Sequence, residues 1–593
     1  VCYQVYRGEK AAGPFRPMSL SSGSLSKLDR RLSNLLLPGF AFDLTPRSPF
    51  VDTTIESGRT YHYKVASCDG RLLSVASEAV SAASLSQGDA TVRVFVDAAR
   101  EAGALQRNWE VTLGSEHLSY MLKGDLGPRL EAVGNGLRQA NKRCHDEFGV
   151  RFIRAHGIFL DELGVYREGD DGKPVYDWSG VDRVYDMLIA DGLRPFVELS
   201  FMPLPLAFDP DETIFFYQAH ASVPRDYRKW GALITEFARH LIDRYGREEV
   251  ESWYFEVWNE PDLRSHIVGA FWHGSDEEYF RLYDVAAAAL KSVDPKLRVG
   301  GPAAATHSFV EPFLRHVAGS TGATRGSRPP LDFLSVHTFY SPVWDWKPLL
   351  EKYGLGALPV MYTEWGVSAR WGEEINDLPY GAAWLARALM ESSQQVEMVS
   401  YWTASDYFEE LGPPERFFHG GFGLLGLEGI RKPRYWAFHL LHQLGSRRLY
   451  LQGEGDGFGG LVQGWATRDD RGTVRILLAN VTYDQTRAES GSEGAGLLRR
   501  HVALDVAGMA PGARYGFRHW RVDDTHSNVY AAWRSLGKPR WPDEAQLAQL
   551  QVRDALELLE PAREQAATPA GNVRCEFDLP MPALSLIEIS ENR

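Results

Sequence analysis

Two glutamates stand at the ends of otherwise apolar segments, where their side chains could carry out chemistry. Glu260 lies near the end of WYFEVWNEP (253–261), and Glu364 lies in LPVMYTEWG (358–366), 104 positions later. If both segments are strands of one barrel, both carboxylates project into the same mouth. One carboxylic acid and one carboxylate can cleave a glycosidic bond, by protonating the leaving oxygen and attacking the anomeric carbon. For either glutamate alone, an ion pair with an arginine is the plainer interpretation, and only the pair beside tryptophans favours catalysis.

The segments around these glutamates predict a (β/α)8 barrel. From about 89 to 445, short apolar strand candidates alternate with amphipathic helix candidates. The strand candidates are 108–114, 150–159, 193–201, 253–261, 297–303, 332–340, 358–366 and 397–406. Near-continuous apolar strands indicate a parallel sheet buried on both faces, and eight units match a TIM barrel. A doubly wound open sheet is the alternative, although no GxGxxG follows the first strand.

The pattern predicts an α/β protein with three domains: a partial fibronectin type III-like β-sandwich (1–88), the barrel (89–445) and a C-terminal β-sandwich with one helix (446–593). In the first domain YQVYR, FVDTT and TYHYKVAS alternate polar and apolar residues. The run FVDTTIESGRTYHYKVASCDG resembles the later half of a fibronectin type III module. Cys2 and Cys68 either sit on neighbouring strands or are two buried free thiols.

Composition excludes several classes of function. The 593 residues include 64 Lys and Arg against 78 Asp and Glu, a net charge of −14, which disfavours nucleic acid and anionic membranes as partners. No apolar run is long enough to span a membrane. The four cysteines form no CxxC pair, so neither a metal nor an organic cofactor is expected. Aromatic residues make up 12 % of the chain, enough for a large core or for a sugar-binding cleft.

Several motifs resemble glycoside hydrolase family 39, above all its β-xylosidase branch. They are RAHGIFLDELGVY, RPFVELSFMP, FEVWNEPDL, FHGGFGLL and DDTHSNVYAAWRSLGKP, and the resemblance runs from about 108 to 593. It implies that Glu260 is the general acid/base, that Glu364 is the nucleophile and that Asn259 bonds the sugar 2-hydroxyl. The other site residues that it implies are His156, His337, Trp402, Glu409 and Glu410.

Two departures from the family pattern border the sugar pocket. The family has His-x-Tyr on strand six, whereas this chain has HTFY at 337–340, and Trp-Gly follows the nucleophile in place of Tyr-Asn. A tyrosine hydroxyl at the nucleophile is therefore either absent or supplied by Tyr340 from a shifted backbone. Trp258, Trp365 and Trp402 could each offer a flat face to a sugar or belong to the core. Arg154 is expected to orient a carboxylate, and His117 is left open between site and core.

Together these features predict a retaining exo-glycosidase that hydrolyses terminal β-D-xylosides of plant-derived oligosaccharides by double displacement. The alternatives are α-L-iduronidase, α-L-arabinosidase or β-glucosidase activity on the same scaffold, and a non-catalytic carbohydrate-binding protein. Iduronate carries a carboxylate, and no lysine stands just after His337 to receive it. The expected partner is a glycoside or oligosaccharide. An extracellular or periplasmic location is predicted, with the cytoplasm as the alternative.

Overall fold

The computed structural model describes residues 2–17, 52, 55–56, 58–68, 74–83, 90–124, 133–265, 269–319, 328–455, 457–489, 491 and 495–591. Two architectures dominate the described chain: a closed parallel barrel and a large sheet built mostly from the C-terminal residues. Within the described residues, no helix combines the length and the apolar character needed to cross a membrane.

The predicted barrel is confirmed. Eight parallel strands close on themselves, because the eighth pairs with the first through Tyr401 and Leu113. The strands are Thr112–Ser115, Phe152–Ala155, Arg194–Leu199, Tyr254–Val257, Arg298–Ala304, Phe333–Phe339, Val360–Gly366 and Met398–Tyr401. Nearly every residue on them is buried, as expected for strands covered on both faces. Closure rules out the open-sheet alternative.

Amphipathic helices follow the barrel strands and cover their outer face. They are Val133–Phe148, Ser179–Ala190, Tyr227–Tyr245, Asp276–Val293, His307–Gly319, Lys347–Lys352, Tyr380–Ser392 and Pro433–His442, with a short helix Arg247–Glu251. The helix Tyr227–Tyr245 shows why such a segment is helical. The Asp226 side chain caps its first turn, and apolar residues recur on its buried face: Trp230, Ile234, Phe237 and Leu241.

The predicted boundary between the first domain and the barrel is wrong. Thr91–Ala104, which falls in the range 89–445, pairs with Arg447–Gly455 and Arg500–Ala507 in the C-terminal sheet. The reason is in its pattern. Val92, Val94 and Val96 are buried while the residues between them are exposed or half-buried, which suits a strand covered on one face only.

The C-terminal sheet has ten strands and encloses a second hydrophobic core. Besides Thr91–Ala104, its strands are Arg447–Gly455, Val462–Arg468, Val474–Asn480, Arg500–Ala507, Arg514–Val522, Glu557–Leu558, Arg563–Ala566, Val573–Leu579 and Ala583–Glu591. The described part of this region contains two α-helices, Val529–Ser535 and Glu544–Arg553, so the prediction of one helix is wrong: the first of them is only seven residues long and leaves a weak periodic pattern. The barrel helix Tyr380–Ser392 docks on it: Tyr380 donates to the Thr482 carbonyl at 2.9 Å.

The N-terminal residues that are described form a four-stranded antiparallel sheet of Cys2–Gly8, Arg16–Pro17, Thr60–Cys68 and Val80–Ala83. Cys2 and Cys68 are register partners on its first and third strands, as one sequence alternative expected. Most of FVDTT lies outside the described residues. The fibronectin type III module therefore stays a prediction.

Gly114 lies on the first barrel strand, at a place near the barrel mouth that has no room for a side chain. A Cβ there would lie 2.4 Å from Cε3 of Trp402 and 3.1 Å from the Tyr401 carbonyl oxygen. We predict that Gly114→Ala lowers the free energy of unfolding by about 1–3 kcal/mol, because the Trp402 ring must move. Urea unfolding measures this. Gly124→Ala is the control, since nothing lies within 4 Å of its Cβ; equal unfolding curves for the two variants would contradict the prediction.

Candidate active site

The two predicted glutamates meet at the C-terminal mouth of the barrel. Glu260 follows the fourth strand, Glu364 lies on the seventh, and both are buried, with exposures of 7 % and 5 %. A carboxylate oxygen of each and a ring nitrogen of His337 lie within 4.8 Å of one another. The strand-end positions expected from the sequence are therefore where the structure places them.

A strained turn carries Glu260. Trp258 and Glu260 both have left-handed backbone, with φ of 70° and 40°, which costs a non-glycine residue of order 1–3 kcal/mol. Packing of the Trp258 ring holds the turn. Its Nε1 donates to the Phe271 carbonyl at 2.7 Å, and the ring meets Trp272 at 5.3 Å. Trp258 is thus a core residue that shapes the turn, and the sugar-facing alternative for it is wrong.

A β-bulge positions Glu364. Val336 of the sixth strand pairs with Tyr362, but the next residue, His337, pairs with Glu364, so Thr363 is the extra residue. Strand alternation would send Thr363 and Glu364 to opposite faces, whereas the bulge turns both side chains inward. Tyr362 and Trp365 on either side point outward, toward Trp346 and Trp384.

Arg154 on the second strand ties the buried carboxylates together. Its guanidinium donates to Glu256 at 2.6 Å, to Glu364 at 2.9 Å and to the Asn259 side-chain oxygen at 2.8 Å. It also lies 2.8 Å from Glu198. The expectation that Arg154 orients a carboxylate is confirmed, and one of its partners is the predicted nucleophile.

The environments of the two glutamates differ in charge. Burial raises the pKa of Glu260 well above its ordinary value, and the negative charges of Glu364 and Asp262 raise it further. Burial also raises the pKa of Glu364, but Arg154 and His156 oppose that rise. The pKa of both glutamates is raised, but that of Glu260 is raised further, so Glu260 keeps its proton more readily than Glu364.

Histidines flank both glutamates. His337 Nδ1 lies 2.8 Å from Glu260 and its Nε2 lies 3.1 Å from the Thr363 hydroxyl. Burial lowers the pKa of His337 well below its usual value, and the charges of Arg154 and His156 lower it further, so His337 is neutral. His156 is bonded through Nδ1 to Glu198 at 2.7 Å, and its Nε2 lies 3.6 Å from Glu364.

Two buried polar atoms face the pocket without protein partners. The Nδ2 of Asn259 and the Oε1 of Glu410 have no hydrogen bond to any residue that the structure describes. Glu410 Oε1 lies 3.5 Å from His156 Nε2. An unpaired buried polar atom is costly unless a ligand satisfies it, so both atoms remain free to bond a ligand; contacts of Asn259 and Glu410 with a sugar stay a prediction.

Glu409 and Glu410 are neighbours whose pKa values are shifted in opposite directions. Burial works to raise the pKa of Glu409, but hydrogen bonds from His117 (2.9 Å) and Lys123 outweigh it and hold the pKa below its ordinary value. Burial raises the pKa of Glu410 well above its ordinary value, and Glu116 and Glu364 add to that rise. Burial opposes the charged form of His117, yet Glu116, Glu162 and Glu409 raise its pKa to about 9. His117 therefore lies against Glu409, and its part in the site stays a prediction.

The tryptophans divide between pocket and core. Trp402 lies 4.8 Å from the His156 ring and forms an aromatic cluster with Phe408 and Phe422. The prediction that Trp365 binds substrate is wrong. Its ring is buried on the outer side of the seventh strand, where it packs on Trp384 at 5.1 Å, because the residue after an inward Glu364 must point outward.

The two departures from the family pattern are physically linked. A Cβ at Gly366 would lie 3.2 Å from the Phe339 ring, so the absence of a side chain there makes room for Phe339. The Tyr340 hydroxyl accepts a hydrogen bond from Ser368 at 3.2 Å. A contact between Tyr340 and substrate stays a prediction.

Sequence reasoning missed several residues that shape the site: Glu116, Glu198, Phe215, Tyr217 and Glu256. Three of them left a signal, since a glutamate inside or just after an apolar strand (LGSEH, FVELS, YFEVW) needs a buried partner. Phe215 and Tyr217 left none. They come from the tip of the hairpin Thr213–Ile214/Ala219–His220 and reach His156 (5.9 Å) and His117 (4.3 Å) only in the folded chain.

Three side chains at the mouth are also close enough together to bind a cation: those of Glu260, His337 and Glu364. We interpret it as a catalytic pair, because His337 is already bonded to Glu260 and Thr363, and Arg154 already neutralises Glu364. The expectation that the protein needs no metal or organic cofactor stays a prediction.

A TIM barrel with two buried, closely spaced glutamates at the mouth ends of strands four and seven has the architecture of a glycoside hydrolase. The model of glycosyl hydrolases family 39 matches residues 92–557, and the chain belongs to that family. A β-xylosidase of Caldicellulosiruptor saccharolyticus is 32 % identical over 480 residues, 77 % of this chain and 91 % of the relative. A β-xylosidase of Geobacillus stearothermophilus is 32 % identical over 525 residues, covering 82 % and 94 %. The solved structure of a monomeric β-xylosidase from Caulobacter crescentus superposes with a TM-score of 0.72 at 31 % identity, covering 84 % of this chain and 100 % of that one.

The predicted family, fold and enzyme class are therefore confirmed.

Removing the Arg154 guanidinium tests its role among the carboxylates. Arg154→Met leaves Glu198, Glu256 and Glu364 buried without a direct cation, and we predict a loss of about 3–5 kcal/mol in the free energy of unfolding, measured by urea denaturation. Arg228→Met removes an arginine whose side chain is 91 % exposed and is expected to unfold like the wild type. Wild-type stability in the Arg154 variant would refute the assignment.

Proposed function

We propose that the protein is a retaining exo-β-D-xylosidase that removes terminal xylose units from plant-derived oligosaccharides. The observation that carries the proposal is the distance between the Glu260 and Glu364 carboxylate oxygens, which is within 4.8 Å. Retaining enzymes need carboxyl groups about 5–5.5 Å apart, whereas inverting enzymes need roughly 6.5–9.5 Å to admit a water.

The charge states suit double displacement. Glu364, held as a carboxylate by Arg154, attacks the anomeric carbon while Glu260 gives its proton to the departing oxygen. The result is a covalent glycosyl–enzyme intermediate and a free leaving group. Glu260, now a carboxylate, takes a proton from water, which attacks the anomeric carbon and releases Glu364.

The charge of the pocket supports a neutral sugar. Glu198, Glu364 and Glu409 lie around it, and the cations that the described chain places among them are already engaged: Arg154 and Lys123 with carboxylates, and His117 with Glu409. The carboxylate of a uronic acid would find no unengaged cation among these residues and would be buried without a partner. Together with the names of the β-xylosidase relatives, this favours a xyloside over an iduronide.

Exo action is supported by the segment that follows the eighth strand. Trp402, Glu409 and Glu410 are all buried, and Trp402 and Glu410 lie beside His156. The Glu409 amide donates to the Glu116 side chain at 2.6 Å, which fixes the segment against the end of the first strand. Such a wall closes the pocket behind one terminal sugar. An extracellular or periplasmic location stays a prediction.

The nucleophile is tested by chemical rescue. Glu364→Ala should abolish turnover of 4-nitrophenyl β-D-xyloside, and azide should restore it with α-xylosyl azide as the product, because azide attacks from the vacated face. Product configuration is read by NMR. Glu351→Ala, on an exposed helix position, is the control and should remain active without azide. Undiminished turnover in Glu364→Ala would refute the role.

The pH dependence tests the assignment of acid and base. Activity should fall at low pH as Glu364 gains a proton, and at high pH as Glu260 loses one, so kcat/KM is bell-shaped. Because the pKa of Glu260 is raised well above its ordinary value, the basic limb should lie above the normal carboxyl range. Glu260→Gln should lose the basic limb and reduce kcat/KM for poor leaving groups by roughly 10²–10⁴-fold. A retained basic limb in that variant would contradict the role of Glu260.

A further inference from the structure

Glu260 is the first of four buried groups that are linked in a chain of hydrogen bonds. Its carboxyl oxygen lies 2.8 Å from His337 Nδ1, and His337 Nε2 lies 3.1 Å from the Thr363 hydroxyl. That hydroxyl donates to Glu256 Oε1 at 2.8 Å. Glu256 and Thr363 are completely buried.

The direction of these hydrogen bonds follows from counting protons. A threonine hydroxyl has one proton, and that of Thr363 goes to Glu256, whose other oxygen accepts from Arg154 at 2.6 Å. The Thr363 oxygen must then accept from His337, which places the imidazole proton on Nε2. Neutral His337 has no second proton, so its Nδ1 is an acceptor, and the bond to Glu260 needs a protonated carboxyl.

We propose that Thr363 and Glu256 are positioning residues for the acid/base. They hold His337 as its Nε2–H tautomer, so that Nδ1 accepts the acid proton of Glu260 and favours the protonated carboxyl. When the glycosidic bond breaks, that proton passes from Glu260 to the leaving oxygen, and no proton moves along the chain. This inference rests on the proposed role of Glu260 as the acid.

The β-bulge is the structural basis of this arrangement. Without the extra residue, Thr363 and Glu364 would alternate between the two faces of the strand, and only one of them could point into the barrel. The bulge allows one strand to supply the nucleophile and the hydroxyl that orients His337. The charged or titratable groups that face Glu260 from other elements are Arg154, Glu198, Asp262, His337, Glu364 and Glu410.

Thr363→Val tests the proposal, since valine keeps the shape and removes the hydroxyl. Without an acceptor at Nε2, His337 should take the Nδ1–H tautomer and donate to ionised Glu260. The basic limb of the kcat/KM profile for 4-nitrophenyl β-D-xyloside should then move to lower pH by about one pH unit. Thr363→Ser keeps the hydroxyl, and its basic limb should stay at the wild-type position.

Glu256→Gln provides a second test through a different atom. The glutamine oxygen can accept from Arg154 while its amide donates to Thr363, which forces the Thr363 proton toward His337 Nε2. This reversal should also move the basic limb to lower pH. The Glu256→Gln variant still tests the proposal if Thr363→Val does not fold, and circular dichroism shows whether each variant is folded.

The outcomes separate this inference from the proposed function. A lower basic limb in Thr363→Val and Glu256→Gln but not in Thr363→Ser supports the tautomer role. An unmoved or raised basic limb in either folded variant overturns it, provided that Glu260→Gln has lost its basic limb. If Glu260→Gln keeps that limb, the assignment of the acid fails instead.

Discussion

The active site depends on one buried cation. Arg154 contacts three carboxylates and the Asn259 amide oxygen directly, at distances of 2.6–2.9 Å. Burying an ion costs several kcal/mol unless close partners replace its hydration, so the guanidinium and its partners stabilise one another only when four barrel strands stand in register. Arg154 therefore links two features of the site. It connects side chains of different barrel strands, and it is the cation beside Glu364.

Two backbone irregularities place the catalytic pair around that cation. The left-handed turn at Trp258 and Glu260 and the bulge at Thr363 both depart from regular strand geometry. Packing outside the barrel holds them: Trp258 lies against Trp272, and Trp365 lies against Trp384. The large tryptophans next to the glutamates thus act mainly as supports that fix where the carboxylates point.

The glutamates of the site differ in pKa because their surroundings differ, although they are the same residue type. Glu260 and Glu364 are chemically identical, yet one faces a neutral histidine and the other an arginine. Glu409 and Glu410 repeat the contrast on adjacent residues, because Lys123 and His117 reach only the first. The pocket consequently holds, side by side, carboxyls whose pKa values differ in the direction or the extent of their shift.

The sequence by itself determined the barrel, the family and the strand-end positions of Glu260 and Glu364, because strand–helix alternation and local motifs depend on neighbours along the chain. It did not determine that Thr91–Ala104 belongs to the C-terminal sheet, since its partners lie more than 300 residues away. Only the tertiary structure decided that Trp365 points outward, that Thr363 points inward and which glutamate keeps its proton more readily. The β-bulge and the electrostatic environment of the buried glutamates both depend on contacts between strands that are distant in sequence. No local sequence pattern predicts them.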